Sequence, residues 1–165
     1  MAKALILYYS FEGSTQKVAE WIAAETNADI ERITPLKELK STGFSKYFWG
    51  GSQVVMKRKP KIKPIQRNLE EYDTIFIGSP IWAGSFAPPI YTLLERGYLK
   101  NKRIAYFYSH EGGDTRAVEK AVNEINKENI FIDAFSCLFV QKNFESIKNQ
   151  LSTWAKDIIH KGEIK

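Results

Sequence analysis

Cysteine is almost absent. The single thiol, Cys137, sits in an apolar run, has no partner for an internal disulfide, and is expected as a buried, inert group. That argues against a disulfide-framed scaffold and fits a reducing compartment, here taken as cytoplasmic. Histidine is scarce as well. His110 and His160 with one cysteine are too few for a His/Cys metal centre, and no nucleophile–base pair is apparent. No apolar run is long enough to span a bilayer, and no cleavage-like signal follows the early Lys3, so neither a membrane span nor export is expected. G-x-G-x-x-G and G-x-x-x-x-G-K-[ST] are both missing, which removes the usual dinucleotide and nucleotide-triphosphate fingerprints.

What is present suits one domain with one core, spanning residues 1–165, and 44 % hydrophobic residues predict folding rather than disorder. The net charge of +5 is unevenly spread. Residues 37–67 carry nine Lys or Arg against the single acid Glu38, a net of +8, and the remainder is −3. The chain therefore reads as a mildly acidic domain with a basic insertion at about 36–67.

The organising stretch is Leu5 to Ala19. Leu5–Tyr9 is apolar throughout and predicts a strand buried on both faces. Ser10-Phe11-Glu12-Gly13-Ser14-Thr15 turns the chain, and Val18, Ala19, Ile22 and Ala23 then follow helical spacing. Strand, hydroxyl- and glycine-bearing turn, and helix together aim backbone N–H groups and the positive end of a helix at one point, which suits a phosphate. The plainer reading is that Ser10 or Ser14 only caps the helix.

The pattern then repeats. Residues 28–33 read as a short edge strand ended by Pro35. Phe44, Tyr47, Phe48, Gly51 and Val55 follow helical spacing, which Gly50-Gly51 weakens. Tyr72–Pro80 is a second strong strand with 81–86 as its exit loop, and Pro88-Pro89 open a helix to about Glu95. Lys102–Tyr108 is a third strong strand with 109–114 as its exit loop. A helix over 115–127, a last strand within 130–140 and a closing helix from Asn143 to about His160 complete the chain. Alternating strands and helices predict an α/β fold with a parallel sheet and helices on both faces. Ligands in such sheets sit beyond the carboxyl ends of the strands. Three exit loops rich in Gly, Ser or aromatic residues meet there.

With those loops in place, the chain resembles the flavodoxin family over nearly its whole length. The resemblance implies a flavodoxin-like three-layer sandwich whose five-stranded parallel sheet has the order 2-1-3-4-5, and it implies FMN as cofactor. Ser10–Thr15 is similar to that family's phosphate loop, S/T-x-T-G-N-T, with Glu12 in place of an inner Thr and Ser14 in place of Asn. Ser14 keeps a donor, and Glu12 must point away from the phosphate. Pro80, Ile81, Trp82, Ala83 and Gly84 resemble the second flavin loop. Trp82 would cover the ring, and the Ala83–Gly84 peptide would turn as flavin N5 gains a proton. Ser109, His110, Glu111, Gly112, Gly113 and Asp114 occupy the third loop, where His110 stands in place of a second stacking aromatic.

Physical chemistry leads the same way. Trp82 beside Gly84 offers a flat apolar wall and a backbone that approaches a ring closely, against the plainer reading of a core Trp. Gly112-Gly113 would bring N–H groups to the ring's carbonyl edge, or simply form a turn. His110 reads more readily as a polar loop residue than as an acid.

The flavin would carry the electron chemistry. The first expectation is therefore an FMN electron carrier, and the alternative is an NAD(P)H-dependent reductase of quinones or similar small acceptors. The basic 57–63 segment has several readings. It is a solvated loop, a dock for acidic redox partners, or a site for NADPH phosphates at Lys57, Arg58 or Lys59. Nucleic-acid or membrane-surface binding is disfavoured, because Phe48 and Trp49 are equally explained by packing over the sheet or the flavin.

Overall fold

The structure, a computed structural model, describes residues 3–37, 59–82, 84–95, 97–112 and 116–163. Strand β1 (Ala4–Tyr8) is buried at all five positions, as its apolar run requires. Helix α1 (Ser14–Thr26) follows, and Asn27 in a left-handed conformation ends it. Strand β2 (Asp29–Arg32) then lies at one edge of the sheet. Beyond it come β3 (Thr74–Trp82), the two-residue β4 (Ser85–Phe86) and α2 (Pro88–Glu95). The chain ends with β5 (Arg103–His110), α3 (Arg116–Ile125), β6 (Ile130–Leu138) and α4 (Val140–Glu163).

The sheet order is β2-β1-β3-β5-β6, all parallel, with β4 bonded antiparallel to β3 alone. With β4 set aside, this is the expected order of five strands. The sixth comes from a correction. Residues 81 and 82 continue β3, and the chain folds back at once, pairing Ile81 with Phe86 and Trp82 with Ser85. The anticipated exit loop is therefore a hairpin with a two-residue tip. The closing helix begins at Val140 rather than Asn143 and reaches Glu163. Phe139, at φ 48°, makes the sharp turn that lets it start early.

Strand alternation divides the core into two layers. Leu5, Leu7, Tyr9, Ile75, Ile77, Ile104 and Tyr106 face α2 and α3, meeting Ile90, Leu93, Ala121 and Ile125. Ala4, Ile6, Tyr8, Phe76, Ala105 and Phe107 face α1 and α4, meeting Val18, Ile22, Phe144, Leu151 and Ile158. The Trp21 indole N–H donates to the Ser152 hydroxyl at 2.8 Å and fixes α1 against α4. Gly78 pairs with Phe107 across β3 and β5. A Cβ at Gly78 would lie 2.2 Å from the Phe107 ring, so the ring occupies the place of the missing side chain. Cys137 is fully buried and burial pushes its thiol up to about 12, so it is protonated at neutral pH.

The end of the basic insertion has a structural role. Residues 61–67 run antiparallel along edge strand β2 and its extension. Leu36 N–H donates to the Lys61 carbonyl, Lys63 N–H to the Thr34 carbonyl, and the Gln66 and Arg67 N–H groups to the Glu31 carboxylate. The edge is thereby covered. Asp29 anchors the far end, accepting from the Tyr72 hydroxyl at 2.6 Å and pairing with Arg67 and Lys3. The Tyr72 hydrogen bond, then the two cations, hold its carboxyl below the usual range. Lys59 pairs with Glu95, whereas Lys61 and Lys63 are exposed on either side of buried Ile62. The helical spacing anticipated over 44–55, together with Lys57 and Arg58, lies outside the described residues.

Candidate functional site

The carboxyl ends of β1, β3 and β5 are adjacent in the sheet, so the three segments singled out in the sequence converge on one edge. The first and third are joined directly. Thr15 Oγ1 and Ser109 Oγ lie 2.8 Å apart, and both residues are buried. Their side chains lock the start of α1 to the end of β5.

The turn after β1 has the local geometry of an anion cradle. Gly13 is the N-cap of α1 at φ 93°, a backbone state that costs other residues strain, and it offers no side chain to the helix end. The first N–H groups of α1 have no intrahelical acceptor; Lys17 N–H makes the first such bond, to the Gly13 carbonyl. No acidic residue sits in the first turn to occupy that positive end. Nothing lies within 4 Å of the place a Gly13 Cβ would take. The turn is held from within by the Gly13 N–H donating to Ser10 Oγ at 3.2 Å. Glu12 is exposed, and Ser14 Oγ accepts from the Gln141 side chain at 3.2 Å.

The second segment divides between strand and tip. Pro80 and Ile81 belong to β3 and are half-buried. Trp82 ends that strand with 6 % exposure. Its ring meets Tyr9 and Phe11 edge-on, at 5.6 and 5.9 Å between centroids. Its expected position in an exit loop is thus corrected, because the strand runs two residues further and carries the indole into the core under the site. Gly84 has φ 72°, a left-handed conformation that glycine adopts without strain. Its carbonyl accepts from Lys120 Nζ at 3.1 Å.

In the third segment, Ser109 and His110 end β5, and Glu111 and Gly112 lie beyond it. His110 Nε2 shares a 2.7 Å hydrogen bond with Ser136 Oγ, and its ring tilts against Tyr108 at 5.4 Å. His110 Nδ1 is shielded from solvent and has no hydrogen-bond partner among the described residues. A Cβ at Gly112 would meet nothing within 4 Å. Ala83, Gly113 and Asp114 lie outside the described residues.

Four neighbours of the site escaped sequence reasoning. The Arg32 guanidinium donates to the Ser10 carbonyl at 2.9 Å, bringing a cation to the first turn. Its signal was available, since the last residue of a strand parallel to β1 must end beside the turn after β1. Gln141 and Ser136 reach the site from α4 and β6, and Lys120 from α3. Their positions depend on how far β6 and α4 extend, which periodicity does not fix.

A family model for flavodoxin matches residues 3–158. No match is found among curated proteins. Among solved structures, a flavoprotein from Lactobacillus acidophilus in complex with FMN is 26 % identical, with a TM-score of 0.72, covering 92 % of this chain and 99 % of that one. A candidate flavoprotein from Bacteroides eggerthii is 24 % identical, with a TM-score of 0.79 and coverage of 96 % and 99 %. A flavodoxin from the domain Archaea shares the fold at 17 % identity and a TM-score of 0.56, covering 96 % and 99 %. With the match running almost from end to end of a chain that folds in the expected strand order, the protein belongs to the flavodoxin family.

Proposed function

We propose that the protein binds FMN at this edge and works as an electron-transfer carrier. The observation that carries the reading is the first turn. Gly13 at φ 93°, an uncapped helix end, an acid-free first turn and an exposed Glu12 together fit a phosphate. The hydroxyls of Ser10, Ser14 and Thr15 border that point. The ring would be held between Pro80, Ile81 and Gly84 on one side and Ser109 to Gly112 on the other, where His110 Nδ1, without a hydrogen-bond partner among the described residues, offers a polar contact. Bound FMN supplies one- and two-electron chemistry, and the protein supplies binding, orientation and charge. The FMN complex of the Lactobacillus acidophilus flavoprotein supports this cofactor.

A Cβ at Gly112 would meet no described atom within 4 Å, which is compatible with a second reading, an NAD(P)H-dependent reductase of quinones or similar small acceptors, whose flavin face must admit a nicotinamide. Exposed Lys61 and Lys63 support docking of an acidic redox partner, with a salt-dependent rate. No described helix is long and apolar enough to cross a membrane, and a cytoplasmic carrier with one reduced, buried thiol is the reading we adopt.

The deciding experiment is an anaerobic absorption spectrum with FMN, then NADH, then NADPH. A bound flavin that stays oxidised with both nucleotides is the expected result, and rapid bleaching identifies the reductase. Absence of bound FMN overturns the proposal. Riboflavin, which lacks the phosphate, is expected to bind at least about 100-fold more weakly than FMN, the loss of one or two charge-assisted hydrogen bonds. Equal affinities would remove the phosphate from the first turn. Gly13→Ala meets no atom but is strained at φ 93°. The strain, about 1–2 kcal/mol, drives the free turn to relax away from the cradle, so FMN binding should weaken by up to about tenfold, measured by flavin fluorescence quenching.

A further inference from the structure

The hairpin tip between β3 and β4 is held from outside its own strands. Gly84, at φ 72°, turns its carbonyl to Lys120 Nζ at 3.1 Å. Lys120 stands on the second turn of α3, the helix that follows the third segment of the site. Just as Thr15 and Ser109 tie the first segment to the third, this bond ties the second segment to the element that follows the third. The donor is an ammonium group, so the bond also brings a full positive charge to the tip. A two-residue tip with a glycine has more than one accessible backbone state, and a donor fixed on a helix selects among them.

We propose that Lys120 is a positioning residue of the cofactor site: its ammonium group holds the Gly84 carbonyl and sets both the conformation and the charge that the hairpin tip presents at the ligand edge. The redox part rests on the FMN reading above. Electrons added to a ring beside the tip are stabilised by a nearby cation, and less so at high salt because Lys120 is exposed. Lys120 therefore favours reduced over oxidised FMN.

The test compares the wild type with Lys120→Met, which keeps the stem and removes the donor and charge, and Lys120→Arg, which keeps both. In the cofactor-free protein, amide hydrogen exchange across residues 82–86 is expected to rise about tenfold in Lys120→Met and to stay within about threefold in Lys120→Arg. In the FMN-loaded protein, the preference of Lys120→Met for reduced over oxidised FMN is expected to fall about tenfold. For a two-electron couple that is a potential about 30 mV lower, with a smaller difference at high salt. Unchanged exchange in Lys120→Met overturns the positioning role, and an unchanged potential overturns the charge role. Faster exchange in a protein that binds no FMN supports the clamp and overturns the FMN reading instead.

Discussion

Trp82→Ala is expected to cost the cofactor-free protein about 3–5 kcal/mol, the range for deleting a buried aromatic side chain. That is a large share of the roughly 5–15 kcal/mol that holds a domain folded. The indole is 6 % exposed, in one cluster with Leu7, Ile77, Phe86 and Ile90. Tyr9 and Phe11 meet it edge-on, a geometry that adds about 0.5–1.5 kcal/mol per pair beyond burial. Trp82→Phe keeps an aromatic edge in the same space and should lose much less. Urea unfolding without FMN isolates this contribution from any contact with the flavin. A loss under about 1 kcal/mol for Trp82→Ala would mean that the ring is not a core anchor, leaving the flavin wall as its only role.

The second large effect concerns the smallest residue in the sheet. Gly78→Ala places a Cβ 2.2 and 2.4 Å from two atoms of the Phe107 ring, closer than any real contact. Phe107 is fully buried in the layer under α1 and α4, so its ring has no exposed side to retreat to. Overpacking of this kind costs about 1–3 kcal/mol. For a domain of this size that is a drop in Tm of about 2–4 °C per kcal/mol. Phe107→Leu removes the clashing atoms. The double variant should therefore be more stable than the sum of the single losses predicts, with a coupling of about 1 kcal/mol or more in a double-mutant cycle. Additive losses would show that the ring shifts freely and that Gly78 serves another purpose.

The two variants mark where sequence reasoning succeeds and where it stops. The apolar runs of β1, β3 and β5 have one consistent reading, because strands covered on both faces admit few polar residues. Their burial followed directly, and their order is the one the family resemblance implied. The turn at Ser10–Thr15 was legible for a related reason. Gly13 and the helical spacing after it are local features, and local features survive folding. Trp82 was harder. An aromatic residue after a proline reads as loop, and only the pairing of Ile81 with Phe86 shows that the strand continues. Lys120, Ser136 and Gln141 reach the site through tertiary placement, and no spacing in the chain announces them, whereas Arg32 was readable as the last residue of the strand beside β1. Gly78 reads as a strand residue, but its need for a facing aromatic depends on the register between β3 and β5.

The bonds joining Leu36 to Lys61 and Thr34 to Lys63 have a consequence for what the fold tolerates. They bring the two ends of the basic stretch together on the margin of the sheet, so the stretch between them departs from and returns to one place. Lengthening or shortening a loop closed at its base changes its closure entropy by only about 0.6 kcal/mol per doubling. Its length is therefore free to vary at little cost to the strands. The clasp makes that margin tolerant: whatever chain lies between its two ends, the sheet is left and re-entered at the same pair of bonds.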